Sequence, residues 1–257
     1  MAFYIIILAS FATSMLTFFS GFGLGTILAP VMAIFFPVDI SIALTGVVHF
    51  CNNLFKIFLV GKKADKRVLI HFGIPAILAS FIGALLLIRL TELPYLYQYQ
   101  LGSHDYRITP VKTVIAALLI IFAMAEIIPA FQKLEFDKNK LSWGGLLSGF
   151  FGGLSGLQGA IRSAFLIRTG MSKEAYIGTA VVLACFIDIT RLSVYATRFN
   201  NSNLQDNLSL VIAAAIAAIV GTFIGNLLLK KVTLNFIQKI VTFMLIIISL
   251  ALGLGLI

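Results

Sequence analysis

Residues 1–38 contain no Asp, Glu, Lys or Arg, and neither do residues 141–161 or 208–229. Runs of this length match the ~20 apolar residues that a helix needs to cross a bilayer. Inside lipid every backbone N–H and C=O must be satisfied within the protein, so a chain of such runs is driven toward helices packed on helices. The composition agrees, with 60% hydrophobic residues and only 11% charged, against about a quarter charged in soluble domains. Soluble enzymes, nucleic-acid-binding modules and disordered tails are excluded, and the sequence reads as an all-α polytopic integral membrane protein.

The net charge of +9 would suggest a nucleic-acid partner in a soluble protein. In a membrane protein it follows from the enrichment of Lys and Arg in cytoplasmic loops. The first twenty residues lack the basic start of a signal peptide and lead into another apolar run, so they are read as mature protein. Cys51 and Cys185 lie in apolar segments and imply no disulfide framework. No His, Glu and Asp cluster stands at metal-ligand spacing, so neither a metal nor a cofactor is expected, and the chain is not read as an enzyme.

Apolar runs between charged breaks predict segments at 2–20, 26–36, 39–60, 68–89, 111–131, 142–157, 160–169, 173–196, 208–229 and 236–257. Two of them, 26–36 and 160–169, span only about 15 Å, half a bilayer. Each follows a longer helix through a glycine-rich break, GFGLG at 21–25 and GGLSGLQG at 152–159. Glycine costs ~1 kcal/mol relative to alanine inside a helix, so a cluster of them punctuates strongly. The pattern predicts a helix that enters, breaks and returns.

Loop charges separate this reading from its alternative. If each broken segment returns to its own side, each half makes three full crossings and the second half is inverted. Lys62, Lys63, Lys66, Arg67, Lys133, Lys138, Lys140, Arg168, Lys173, Lys230 and Lys231 then face the cytoplasm, eleven against four (Arg89, Arg107, Lys112 and Arg198). If the broken segments cross fully, the count is eight against seven. Positive-inside bias favours two inverted-topology repeats, 1–131 and 142–257, each a glycine-broken re-entrant helix plus three spanning helices, joined by a cytoplasmic linker at 132–141. Both termini then face away from the cytoplasm, and the loop 61–67 faces it. A shift of 134 residues also superimposes the two breaks, aligning Gly25 with Gly159, Ile27 with Ile161, Thr45 with Thr179, Val47 and Val48 with Val181 and Val182, and Cys51 with Cys185. Inverted repeats with discontinuous helices are a recurring secondary-transporter design, with substrate held where the repeats meet.

The residues at the breaks suit an anion. Helix N-termini carry unpaired N–H groups and about half a positive charge. Gly23, Gly25 and Thr26 open one half-helix; Ser155, Gln158 and Gly159 precede the other, and Arg162 adds a full charge one turn in. The helix at 39–60 carries a polar stripe of Thr45, His49, Asn52 and Lys56, with Asn53 beside it. Such groups inside a span are costly and mark pathways. The aligned stripe in the second half keeps Thr179 but is otherwise apolar. Asp188 and Arg191, one turn apart, are expected to pair, on the helix face opposite Thr179. Lys56, Asp188 and Arg191 are therefore candidates for coupling or for a structural ion pair. Glu126 and His71 are expected near the interface. The loop 92–110, with Tyr95, Tyr97, Tyr99 and Tyr106, reads as an external aromatic belt.

The sequence resembles the TauE/SafE family of sulfite exporter-like permeases. The resemblance rests on Gly21-Phe22-Gly23-Leu24-Gly25, Pro30 and Ala43-Leu44-Thr45 in the first half, and on Gly152-Gly153, Gly156, Gly159 and Gly178-Thr179 in the second. It implies a permease of the bacterial inner membrane that moves sulfite, organosulfonates or related anions. The chain departs from the family pattern at Gly46 and Ala180, where Ser is usual, at Ala164, where Pro is usual, and at Gln158, which interrupts the second glycine run. The expected partners are a small anionic substrate and the lipid bilayer, with a homodimer as a further option and no nucleic acid. The function expected is proton-coupled anion transport by alternating access. Its rivals are an anion channel on the same repeats and a membrane assembly factor without transport.

Overall fold

The computed structural model describes residues 1–17, 23–128, 136–199, 207–228 and 234–257. The first half contains α1 (Ala2–Thr17), α2 (Leu24–Ala33), α3 (Val38–Val60), α4 (Lys66–Glu92) and α5 (Pro110–Ile127). The second half repeats that order with α6 (Leu141–Ser155), α7 (Gly159–Leu166), α8 (Lys173–Phe199), α9 (Leu208–Leu228) and α10 (Leu234–Gly253). Among the described residues four helices are long and apolar enough to cross a membrane, in α3, α4, α8 and α9. Their outer faces are apolar at helical spacing: Leu78, Ile82 and Leu85 on α4, and Ile212, Ile216, Val220 and Phe223 on α9 are all exposed. A surface of that kind is lipid-facing; water would drive it to aggregate. The chain is a multi-pass membrane protein.

One departure from expectation is a β-hairpin inside the loop at 92–110. Strands β1 (Tyr97–Leu101) and β2 (His104–Ile108) pair antiparallel, with Tyr99 opposite Tyr106. Their rings stack at 5.5 Å, and the Tyr99 hydroxyl donates to the Leu254 carbonyl at 2.7 Å. The alternation that places Tyr97 and Tyr99 on one face of β1 is a strand-forming pattern as well as an aromatic belt.

The helices pair across the two halves. α4 packs on α6 and α1 on α9; α4 and α8 meet, as do α9 and α3; α3 packs on α8 and α5 on α10. Exchanging each helix for its counterpart in the other half reproduces this set of pairings. The α4–α6 contact is backbone against backbone. A Cβ added at Gly145, Gly149 or Gly153 would lie 2.1 Å from the carbonyl oxygen of Phe72, Ala76 or Ser80, and one at Gly83 would lie 2.1 Å from that of Phe150. Only glycine permits this approach, which replaces side-chain packing with close van der Waals contact between helices.

The second break turns the chain back on itself. Gly156 ends α6 at φ 80°, a left-handed conformation that other residues rarely adopt. α7 then runs beside α6 in reverse. Ser148 Oγ donates to the Gln158 carbonyl at 3.0 Å, a Cβ at Gly144 would collide with the Phe165 ring, and Phe136, just before α6, stacks on Phe165 at 4.1 Å. In the first half, Ile6 of α1 shares an apolar cluster with Leu24, Leu28 and Met32 of α2. Gly21 and Phe22 of the first break, and residues 132–135 of the linker expected at 132–141, lie outside the described residues.

Candidate functional site

The two breaks meet. A Cβ on Gly25 would lie 3.4 Å from the Gly156 carbonyl oxygen and 3.8 Å from Thr45 Cγ2, and one on Gly23 would lie 3.5 Å from His49 Nε2. The start of α2, the break before α7 and the polar stripe of α3 therefore share one neighbourhood. Neither half-helix has a side-chain cap at its N-terminus, where Gly23 and Gln158 stand. Thr26 is buried in the first turn of α2, and Gly159 is buried at the start of α7.

At the centre lies Asp188 of α8, the only buried carboxylate among the described residues. Its Oδ2 is 2.6 Å from His49 Nδ1 of α3. Its Oδ1 accepts from Gln158 Nε2 at 3.2 Å and from Arg191 Nε at 3.0 Å, and stands 2.8 Å from Arg191 Nη2. The expected Asp188–Arg191 pair is present. Sequence reasoning did not find the tie to His49, a contact across 139 positions. Asn53 Nδ2 lies 3.1 Å from His49 Nδ1 and 3.2 Å from Nε2, against the ring rather than along one lone pair. A carboxylate only accepts, so the 2.6 Å contact assigns the His49 proton to Nδ1, facing Asp188.

Gln158, which interrupts the glycine run, is the hub of the second break. Its side chain donates to Asp188 and accepts from Arg162 Nη1 at 3.0 Å. The Arg191 guanidinium lies against both Gly46 and Gly156, where added Cβ atoms would fall 3.3 and 2.9 Å from its atoms. Ser155 acts locally, donating to the Phe151 carbonyl at 2.9 Å and accepting from Leu157 N at 3.4 Å.

Lys56, Arg162 and Arg191 are all buried, and Lys56 and Arg162 lie within electrostatic range of each other. Among the described residues no carboxylate makes an ion pair with Arg162, and its Nε has no hydrogen-bond partner. Thr45 Oγ1 and Asn52 Nδ2, both buried, also lack partners there. Three cations, one carboxylate and unused donors make a neighbourhood that attracts anions. Any anion that binds would meet donors rather than acceptors.

Two expected site residues hydrogen-bond away from the Asp188 cluster. Thr179 does not join this cluster. Its hydroxyl donates to the Ala175 carbonyl at 2.7 Å and accepts from Asp65 N at 2.8 Å, which ties α8 to the turn after α3. The aligned threonines thus do different work, because Thr179 lies on the face of α8 opposite Asp188, as its spacing foretold. Asn52 parts from His49. Its Oδ1 accepts from Thr222 Oγ1 of α9 at 2.7 Å, since one turn of helix points the two side chains at different neighbours. Lys56, a candidate for coupling or an ion pair, is buried. His71 is exposed at the start of α4, as expected, and the side chain of Glu126 lies outside the described residues.

A family model, Sulfite exporter TauE/SafE, matches residues 6–252. No curated protein and no solved structure matches the chain. The match takes in both glycine breaks, the paired halves and every charged residue of the buried cluster, so the chain belongs to the TauE/SafE sulfite exporter family, a family of membrane transporters.

Proposed function

We propose that this protein is a secondary permease of the inner membrane that carries sulfite or an organosulfonate by alternating access. The observation that carries the proposal is Arg162, a buried guanidinium one turn into a half-helix and without a carboxylate partner among the described residues. A cation inside a membrane costs about 2.5–3.5 kcal/mol on insertion scales and is retained where it has a task. The uncapped N-termini of α2 and α7 add their dipoles at the same place, and Thr45 adds a donor. Sulfite and sulfonates present several acceptor oxygens on one compact anion, which suits a site of many donors and few acceptors.

The return of α7 along α6 supports the charge count that favours inverted halves, with loops 61–67 and 132–141 in the cytoplasm. Alternating access then follows as one half rocking against the other around the α3–α8 contact, with a proton accompanying or opposing the anion.

The test is flux of labelled sulfite into liposomes holding the purified protein, in competition with isethionate, taurine, sulfate and chloride. Saturable flux blocked by sulfonates is expected. Replacing Arg162→Gln should raise the half-saturating concentration about ten-fold, the order of one charge-assisted hydrogen bond. Wild-type affinity in that variant removes Arg162 from the site. Flux that never saturates assigns the protein to a channel, and absence of flux for every anion overturns the proposal.

A further inference from the structure

Asp188 occupies the position of an internal counter-ion. Its carboxylate holds His49 from the first half, Gln158 from the second break and Arg191 from its own helix. Arg191 in turn lies against Gly156 and Gly46, one residue from each half. This one carboxylate neutralises the guanidinium nearest the meeting point of the breaks and links the halves through His49. An incoming oxyanion would need the same guanidinium.

We infer that the His49–Asp188 pair is the proton-coupling site of the transporter, and that one proton taken up by the pair frees Arg191 for the substrate anion. The inference rests on the transport reading and names the residues that couple it. One proton and one negative charge enter together, and the oxyanion replaces the carboxylate as partner of Arg191. On release at the other face the anion leaves, the pair gives up its proton and Asp188 recaptures Arg191. Binding of proton and anion is then reciprocal, each raising affinity for the other. His49 and Asp188 are 2.6 Å apart, so they titrate as a unit whichever atom carries the proton.

The charged and titratable groups around the pair come from several elements. α3 contributes Lys56, α7 contributes Arg162, and α8 contributes Arg191, Cys185 and Tyr195. α4 and α6 face this region with hydroxyls, Ser80 donating to the Ile187 carbonyl and Ser148 to that of Gln158. Lys62 and Lys63, in the turn packed on α8, are exposed. No second buried carboxylate stands among the described residues to take the proton instead.

The experiment uses the whole chain in liposomes with the interior one pH unit above the exterior, and follows labelled isethionate, whose charge is fixed, beside labelled sulfite. Coupling of one proton per anion should concentrate isethionate about ten-fold inside, independent of protein orientation. His49→Gln and Asp188→Asn should each abolish this accumulation and leave the anion, at most, at equilibrium. His49→Gln keeps Asp188 paired with Arg191, so it serves if Asp188→Asn does not fold. Accumulation in either variant at the wild-type level overturns the inference. Saturable wild-type flux that ignores the pH gradient also overturns it while leaving anion transport standing. Absence of wild-type flux for both anions removes the transport reading and the inference with it.

Discussion

The α4–α6 and α1–α9 contacts are equivalent pairings between the two halves and are glued by different chemistry. In α4–α6, four glycines bring backbones together with no side chain between them. The α1–α9 seam has two, Gly221 and Gly225, whose added Cβ atoms would lie 2.3 and 2.6 Å from the carbonyls of Phe11 and Met15. It adds a ladder of buried hydroxyls. Ser14 donates to the Ala218 carbonyl, Thr222 donates to Asn52 at 2.7 Å, and Ser10, Thr13 and Thr17 are buried on the same face of α1. A dry glycine seam has one good arrangement, because any sliding brings Cα hydrogens onto carbonyls. Hydroxyls can exchange one acceptor for another at modest cost. The comparison assigns rigidity to the first seam and adjustability to the second, which also touches α3 through Asn52.

Three substitutions test that contrast. Gly149→Ala should do the most damage, lowering stability by about 3 kcal/mol, because its methyl would meet the Ala76 backbone with nothing able to move aside. Thermal unfolding in detergent reads it, and tolerance at this position would end the claim that the seam is backbone-tight. Thr222→Val should cost about 1 kcal/mol by leaving Asn52 Oδ1 without its donor. A loss as large as that of Gly149→Ala would show the hydroxyl ladder to be as rigid as the glycines. Ser10→Ala should change stability by less than about 0.5 kcal/mol, since its buried hydroxyl has no hydrogen-bond partner among the described residues. A large loss there would reveal a partner and extend the ladder toward the start of α1.

Much of the helical layout was legible because the breaks are written in glycine and the spans in uncharged residues. The predicted half-segments at 26–36 and 160–169 correspond to α2 and to α7 with the short 3-10 turn after it. The glue between α4 and α6 is legible too, as Gly145, Gly149 and Gly153 at four-residue spacing. Within the site, Asp188 and Arg191 could be paired because they share a helix turn. His49 and Asp188 could not, since their meeting depends on which faces of α3 and α8 the tertiary packing brings together. The same dependence separates Thr179 from Thr45, whose chemistry it shares but whose neighbours it does not. Gln158 looked like an interruption of a motif, and its bridging role appears only once Asp188 and Arg162 stand on either side of it.

The two aligned cysteines are both free, Cys185 buried and Cys51 partly exposed. Cys51 stands two residues after His49, and Cys185 stands three before Asp188, within electrostatic range of Lys56, Arg162 and Asp188. The protein therefore carries its own pair of alkylation reporters on the helices that hold His49 and Asp188. Cys51 supplies the reference rate. Capture of Cys185 by a small membrane-permeant maleimide would time the parting of α3 from α8 without an engineered label.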